Sequence, residues 1–469
     1  MFDHAEASAL KISHAVARGE VTASAVIEAT LARIATHNPL LNAFTDVTAD
    51  RARACAAAID ARLAKGEVVG PLAGVPFAVK NLFDVKGLPT RAGAKINREL
   101  PPAERDSPLV ERLEAAGAVL VGALNMGEYA YDFTGENIHD GPSRNPHDPA
   151  RMTGGSSGGS GGAVAGRLVP LALGSDTNGS IRVPSSLCGV FGLKPTYGRL
   201  TRARSFPFAA SLDHLGPFAR TAADLAASYD AMQGAAAGDP ACAGQPVEPT
   251  VPALAAGLDG LRIATAGGYF HRGLSLEGHS ALAAVAAALG ARHEIEWPEA
   301  ARARAAAYVI TCTEGAALHV ERLRTRPRDF DPAVRDRLIA GAMVSAVAVA
   351  QAQKFRRWYR DRVLALFAEV DAVLLPATPC TAPQIGQQTF ALDGVEIPVR
   401  PNLGIYTQPI SFIGLPVVAV PVPLTPLPIA VQIVAAPWRE DVVLRIAYAL
   451  EEKAVAAAPK PAGGISALI

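Results

Sequence analysis

Helix-like and strand-like patterns alternate along the first half of the chain, which is typical of α/β proteins. Ser107 and Pro108 begin a predicted helix that ends at Gly117, and Thr221 begins another. Around these helices, short and uninterrupted apolar runs predict buried strands. The strands are residues 75–79, 119–121 and 169–173.

The second half of the chain is richer in alanine. A stretch of Ala, Gly and Pro over residues 234–252 is the best candidate for an internal boundary. Beyond it, the apolar spacing predicts three helices and three strands. The helices are residues 279–290, 299–324 and 333–369, and the strands are residues 372–375, 417–422 and 429–434. We expect the tail, residues 454–469, to fray.

Composition restricts the function classes. Half of the 469 residues are hydrophobic and 19% are charged, which describes a folded globular protein. The 44 basic and 44 acidic side chains cancel, so charge favours neither nucleic acid nor a membrane surface as a partner. The long uncharged stretch over residues 401–438 is interrupted by eight prolines, which excludes a spanning helix. The acidic N-terminus has no apolar signal segment, so we expect a cytoplasmic protein.

Cysteine and histidine spacing gives no sign of a metal or a cofactor. The five cysteines are scattered and never form a CxxC pair, which argues against a disulfide framework and a zinc site. The ten histidines form no HExxH or HxxxH pair. We therefore expect chemistry without a metal or cofactor.

The most unusual segment is GGSSGGSGG at residues 154–162. A flexible linker is one interpretation, but an apolar, helix-like segment follows directly. A phosphate loop is another, but the required Lys-Ser or Lys-Thr is missing. The segment also fits the GxSxG nucleophile elbow, with Asp213 and His214 downstream. That elbow needs a strand before its serine, whereas residues 145–153 are polar and contain two prolines.

A second segment, GSDTNGSIRVP at residues 174–184, places small residues where a predicted strand ends. Ser180 lies in this turn, where successive backbone N–H groups can converge on an oxyanion. Lys80 ends the predicted strand of GVPFAVK and is a candidate base, because a desolvated lysine can be neutral near pH 7. Taken alone, the simpler interpretation of Lys80 is a solvated strand end.

Together these segments resemble the amidase signature family, through GGSSGGS, DTNGSIR and the lysine of GVPFAVK. Ser156 and Ser180 have the spacing of that family's two catalytic serines. The resemblance implies an α/β fold with a mixed β-sheet core covered by helices on both faces. It also implies one domain over residues 1–469. In it, residues 65–230 form the catalytic core, residues 253–453 complete the pocket and residues 454–469 are the tail.

The family's Ser-cisSer-Lys triad maps onto this sequence position by position. The resemblance implies that Ser180 is the nucleophile and Lys80 the base. Ser156 then follows a cis Gly155–Ser156 peptide bond and relays a proton between the other two. A cis bond before a residue other than proline persists only where the surrounding structure enforces it.

The resemblance also implies an oxyanion hole. Its donors are the backbone N–H groups of Thr177, Asn178, Gly179 and Ser180. Asp176 and Arg182 flank this turn and are expected to brace it. Asn178 departs from the family, because most members have glycine there. Two explanations are open: asparagine tolerates a positive φ, or its amide contacts the substrate.

The sequence looks most like the 1-carboxybiuret hydrolase subfamily, which acts in cyanuric acid degradation. That resemblance implies hydrolysis of a small carboxylated ureide with release of ammonia. It also implies homodimerisation and a small helical accessory subunit, giving a heterotetramer without nucleic acid or membrane. Candidate partners for the substrate carboxylate are Arg182, Arg199 and Arg204. The alternatives are the glutamine-hydrolysing subunit of glutamyl-tRNA amidotransferase, an amidase for oxamate or another small amide, and a silent assembly subunit.

Overall fold

An eleven-stranded mixed sheet runs through the computed structural model, which describes residues 2–462. In chain order the strands are β1 (Phe44–Val47), β2 (Pro76–Lys80), β3 (Val119–Leu124), β4 (Arg144–Asn145), β5 (Asp148–Met152), β6 (Leu171–Asp176), β7 (Phe191–Lys194), β8 (His214–Ala219), β9 (Ile263–Ala266), β10 (His293–Ile295), β11 (Ala372–Pro376), β12 (Thr389–Leu392), β13 (Val395–Pro398), β14 (Val417–Val422) and β15 (Ile429–Ala435). The order across the large sheet is β1-β3-β2-β6-β8-β7-β14-β15-β11-β9-β10. The pairs β4–β5 and β12–β13 form separate two-stranded sheets.

Fourteen α-helices accompany the sheet within the described residues. They are α1 (Ala9–Ala17), α2 (Ala23–Leu41), α3 (Ala49–Ala64), α4 (Pro108–Ala115), α5 (Gly158–Ala165), α6 (Arg182–Cys188), α7 (Ala222–Met232), α8 (Leu276–Leu289), α9 (Ala300–Thr325), α10 (Pro332–Ala342), α11 (Ala346–Leu366), α12 (Val399–Asn402), α13 (Gln408–Ser411) and α14 (Glu440–Glu452). The predicted α/β fold with a mixed sheet is confirmed. The division into a catalytic core and a completing part stays a prediction.

The centre of the sheet positions the candidate catalytic segments. Strand β2 pairs in parallel with both β3 and β6, and all three are buried along their whole length. Because both faces of these strands are buried, polar residues do not alternate with apolar ones, and each strand is a continuous hydrophobic segment in the sequence. Lys80 ends β2 and Asp176 ends β6. Because parallel strands end at the same edge, the two candidate segments meet there.

The prediction of one continuous helix over residues 333–369 is wrong. The structure divides it into α10 and α11, and Ser345 caps the second helix by accepting a hydrogen bond from the Ala348 backbone N–H. The break follows Gly341, where any Cβ would overlap the Cys312 carbonyl of α9. Helical periodicity continues across the break, so the pattern alone does not reveal it.

The described part of the tail differs from the prediction that residues 454–469 fray. Ala456 is fully buried, and the Ala457 backbone N–H donates to the Pro421 carbonyl of β14. This part of the tail is therefore packed rather than frayed, while residues 463–469 lie outside the described residues. Within residues 2–462, no single helix is long and apolar enough to cross a membrane. The pair α10 and α11, bent by 95°, meets that test of length and composition only when taken together.

Candidate active site

Lys80 is fully buried among three serine hydroxyls at the end of β2. Its Nζ lies 2.6 Å from Ser156 Oγ, 2.8 Å from Ser175 Oγ and 3.1 Å from Ser157 Oγ. Burial lowers the pKa of Lys80 to about 7, although nearby carboxylates favour the charged form. A lysine in this state is available as a base near neutral pH.

The three hydroxyls differ in what they can offer the lysine. Ser157 Oγ donates its proton to the Ser175 carbonyl at 3.2 Å, so it can only accept from Lys80. A neutral amine has two N–H donors and one lone pair, and one neighbouring hydroxyl must donate to that lone pair. Ser156, at the shortest distance, is the best placed of the three to do so.

The peptide bond between Gly155 and Ser156 is cis, as the resemblance implies. Gly155 lies against the loop at residues 132–135, where a Cβ would approach Asp132 Oδ2 to 2.5 Å and the Gly135 nitrogen to 2.7 Å. The Gly155 backbone N–H donates to the Phe133 carbonyl at 2.8 Å. This close packing explains why the segment is rich in glycine.

Ser180 lies in the turn between β6 and α6 and lines a cavity. Within residues 2–462, its hydroxyl forms no hydrogen bond to Ser156 or to any other group. The backbone N–H groups of Asn178, Gly179 and Ser180 also donate to no described residue. The structure therefore joins Lys80 to Ser156 directly, and it leaves Ser180 and three successive N–H donors free beside the cavity.

The conformational explanation for Asn178 is wrong. Asn178 is not among the described non-glycine residues with positive φ, and the next residue, Gly179, has a φ of 142°. A Cβ on Gly179 would overlap Thr407 Oγ1, so this position needs glycine for space as well. The Asn178 amide donates to Thr311 Oγ1 at 2.9 Å and lines the cavity.

A buried ion pair braces the turn. Two guanidinium nitrogens of Arg182 donate to the two carboxylate oxygens of Asp176 at 2.9 and 3.0 Å, and both side chains are inaccessible to solvent. Burial alone would raise the pKa of Asp176, but the charge and hydrogen bonds of Arg182 hold it well below its usual range. Asp176 Oδ2 also accepts from the Ile181 backbone N–H at 3.1 Å, which closes the turn around Ser180.

The same arginine ties the turn to the C-terminal part of the chain. Arg182 Nη1 donates to Gln432 Oε1 of β15 at 2.6 Å and to the Thr407 carbonyl at 3.0 Å. Thr407 Oγ1 in turn donates to the Asn178 carbonyl at 2.6 Å. Residues far apart in sequence therefore fix the position of the Ser180 turn.

The cavity beside Ser180 has a volume of about 410 Å³ and is lined from both halves of the chain. Its charged side chains are Asp132, Arg304 and Arg337. Asp132 is neutralised by Arg400 at 2.7 Å, and both of its oxygens accept further hydrogen bonds from the loop at residues 134–135. Among the described residues, neither Arg304 nor Arg337 pairs with a carboxylate. The cavity therefore carries uncompensated positive charge.

The three arginines that the sequence suggested for anion binding are each engaged elsewhere. Arg182 is paired with Asp176. Arg199 donates to the Tyr229 hydroxyl at 2.8 Å, and Arg204 pairs with Glu111 at 2.9 Å. None of the three lines the cavity that contains Ser180.

His214 does not act on a serine in this arrangement. Its Nδ1 lies 2.7 Å from the Leu212 carbonyl and 3.0 Å from the Asp176 carbonyl, and burial holds its pKa well below the usual value. Asp213 instead accepts from Thr177 Oγ1 at 2.6 Å. The contacts that define a nucleophile elbow are therefore not formed.

Sequence reasoning missed several residues of the site. Ser157 and Ser175 lie inside the two motifs, and their proximity to Lys80 follows only from the parallel pairing of β2 with β6. Arg304 and Arg337 lie on helices α9 and α10 among many other arginines. No spacing signal separates them from the solvated ones.

Comparison with known proteins gives consistent matches along most of the chain. A family profile described as Amidase matches residues 25–444. AtzE, named as part of the 1-carboxybiuret hydrolase of Pseudomonas sp. (strain ADP), is 52% identical over 450 residues, covering 95% of this chain and 98% of that protein. One subunit of the glutamyl-tRNA(Gln) amidotransferase of Azotobacter vinelandii (strain DJ) is 38% identical over 472 residues, covering 94% and 96%.

Solved structures agree with these matches. One was described as a vestigial protein complex that reveals the evolutionary origins of an s-triazine catabolic enzyme. It superposes with a TM-score of 0.96 at 51% identity, covering 97% of this chain and 100% of the other. The structure of 6-aminohexanoate cyclic dimer hydrolase superposes with a TM-score of 0.87 at 30% identity, covering 98% and 99%.

The buried pair between Asp176 and Arg182 generates a stability prediction. Asp176→Asn leaves the guanidinium buried without its counter-charge, so we expect the free energy of unfolding to fall by about 3–5 kcal/mol. Denaturant unfolding followed by fluorescence measures this change. Asp371→Asn is the matched control, because Asp371 pairs with Arg262 in the same two-bond geometry at the surface, where little change is expected. Equal losses in the two variants would contradict the bracing role.

Proposed function

The chain belongs to the amidase signature family, and from that premise we propose that it hydrolyses a small, linear, carboxylated ureide such as 1-carboxybiuret, releasing ammonia. The observation that carries this proposal is the buried Lys80 amine, 2.6 Å from Ser156 Oγ and next to the turn that holds Ser180. The relative at 52% identity is named for that substrate. The uncompensated arginines of the cavity suit an anion.

In the proposed reaction, neutral Lys80 takes the proton of Ser156 as Ser156 takes the proton of Ser180. Ser180 Oγ then bonds to the scissile carbonyl carbon, and the oxyanion accepts hydrogen bonds from the N–H groups of residues 178–180. The proton returns through Ser156 to the leaving nitrogen, the C–N bond breaks and ammonia departs. Water, deprotonated along the same route, then adds to the carbamate ester on Ser180, and Ser180 Oγ leaves the carbonyl carbon and regains its proton.

Three further residues support this machinery in the proposal. Gly155 allows the close packing that aims Ser156, while Asp176 and Arg182 hold the turn in shape. These three residues act through position and do not touch the reacting atoms. Thr177, whose hydroxyl is tied to Asp213, is proposed to add its backbone N–H to the donors of the oxyanion hole.

We also propose that the chain works as the catalytic subunit of an assembly with a small accessory protein. The 52% identical relative is named a subunit, and the structure at a TM-score of 0.96 was described as a protein complex. Light scattering of the chain, expressed alone and together with the product of a neighbouring small reading frame, tests this. An unchanged mass in the two preparations would argue against a partner.

Covalent trapping tests the nucleophile. A serine-directed fluorophosphonate should label Ser180, and mass spectrometry of the digested protein locates the label. Ser180→Ala should abolish both labelling and ammonia release while the circular dichroism spectrum stays unchanged. A label on Ser157 would favour the nucleophile elbow instead.

The lowered pKa of Lys80 predicts a pH dependence. Only the neutral amine accepts a proton, so kcat/KM should rise with pH through about 7 and level off above it. A substrate without a titrating group in that range isolates this limb. Lys80→Arg should lose about a thousandfold in kcat/KM, because guanidinium stays protonated. Near-normal activity with an unchanged profile would exclude a lysine base.

The cavity charge predicts selectivity for a carboxylate. Arg337 is half-buried over the Tyr131 ring at 3.8 Å and pairs with no carboxylate among the described residues, and its partial removal from water lowers its pKa. Arg337→Gln should therefore raise KM for a carboxylated ureide by about 10- to 100-fold. Arg328→Gln, at an exposed position, is the control. Equal wild-type activity on carboxylated and neutral versions of one ureide would contradict this selectivity.

A further inference from the structure

Gln408 presents an amide donor to the cavity that contains Ser180. The residue is 4% exposed, begins the short helix α13 and lines the cavity. Its Oε1 accepts from Arg304 Nε at 2.8 Å. Among the described residues, its Nε2 donates to nothing. The Gln408 NH₂ group is therefore a free donor at the cavity wall.

Arg304 fixes which end of this amide is available. A guanidinium group only donates hydrogen bonds, so the atom that faces Arg304 must be the oxygen, and the free atom must be the nitrogen. Arg304 is itself held in place, because its Nη2 donates to Asn402 Oδ1 at 2.6 Å and to the Pro401 carbonyl at 3.0 Å. The Gln408 donor is therefore preoriented before any substrate arrives.

The position of Gln408 relative to the reacting atoms is also fixed. It directly follows Thr407, whose hydroxyl donates to the Asn178 carbonyl in the Ser180 turn. The charged side chains of the cavity that pair with no described carboxylate, Arg304 and Arg337, are donors, whereas the carboxylate of Asp132 is saturated by Arg400 and by residues 134–135. A ligand that satisfies the cavity must bring acceptors in more than one place.

We infer that Gln408 Nε2 donates a hydrogen bond to a second, non-scissile carbonyl of the substrate, so that the site selects acylureas over ureides with only the scissile carbonyl. Arg304 is the positioning residue that orients this amide. The inference rests on the proposed function, because it assumes that the ureide occupies the cavity beside Ser180. It adds a specificity determinant that neither motif contains.

A matched ligand pair tests it. Malonurate and N-carbamoyl-β-alanine have the same length, the same ureide end and the same carboxylate, and they differ only in a carbonyl against a methylene group. Calorimetric binding to the Ser180→Ala protein avoids turnover and differences in reactivity. We expect malonurate to bind about tenfold more tightly, and Gln408→Met in that background to bring the two affinities close to equality.

Two more variants separate recognition from structural damage. Gln408→Glu keeps the size and the contact with Arg304 but removes the donor, so the preference should again be lost. The added charge opposes both carboxylated ligands and cancels in the ratio. Arg304→Met should reduce the preference by releasing the amide, whereas Gln351→Met, exposed on α11, should leave it unchanged.

The outcomes distinguish this inference from the proposed function. An unchanged affinity ratio in Gln408→Met and Gln408→Glu overturns the role of Gln408, even if the wild-type protein hydrolyses carboxylated ureides. Failure of both ligands to bind also overturns it. A carbonyl preference that depends on Gln408 supports it, even if wild-type turnover of these ligands fails and the catalytic proposal falls.

Discussion

The buried contact between Asp176 and Arg182 is the interaction on which the rest of the site depends. Two opposite charges without solvent are stable only when each is fully hydrogen-bonded, and here the surrounding chain supplies those bonds. Meeting this requirement brings β6, the segment before α13 and strand β15 together. The turn that carries Ser180 is thereby held by three parts of the chain rather than by its own short sequence.

A second constraint acts on Lys80. Its removal from water lowers the stability of the ammonium form. The surrounding serine hydroxyls accommodate a neutral amine because Ser157 accepts from it and Ser156 is placed to donate to its lone pair. The fold thus destabilises the charged state of Lys80, whereas it supplies the neighbouring Asp176 carboxylate with a counter-charge and hydrogen bonds. Of these two buried groups on adjacent parallel strands, Lys80 favours its neutral form and Asp176 its charged form. This difference suits Lys80 to act as a base and Asp176 to hold the turn in place.

Much of this arrangement could be predicted from the sequence. The apolar runs of β2, β3 and β6 located the central strands, the segment with Ser180 identified the turn after β6, and the segment with Ser156 identified the entry to α5. What could not be predicted depends on long-range packing. The close approach of Gly341 to α9 beside the break between α10 and α11 is a tertiary contact, and the roles of Arg304 and Arg337 depend on which helix faces reach the cavity. Local spacing contains no information about either.

The hydrogen bond from Arg182 to Gln432 joins residues that are 250 positions apart, and its acceptor lies in β15, late in the sequence. During synthesis, the two glycine- and serine-rich segments emerge long before the strand that completes their support. A growing chain therefore holds every residue of its reactive centre without the geometry to use it. Contacts between distant residues form slowly, and this one can form only after β15 has been synthesised, so the Ser180 turn gains its full support only in the nearly complete polypeptide.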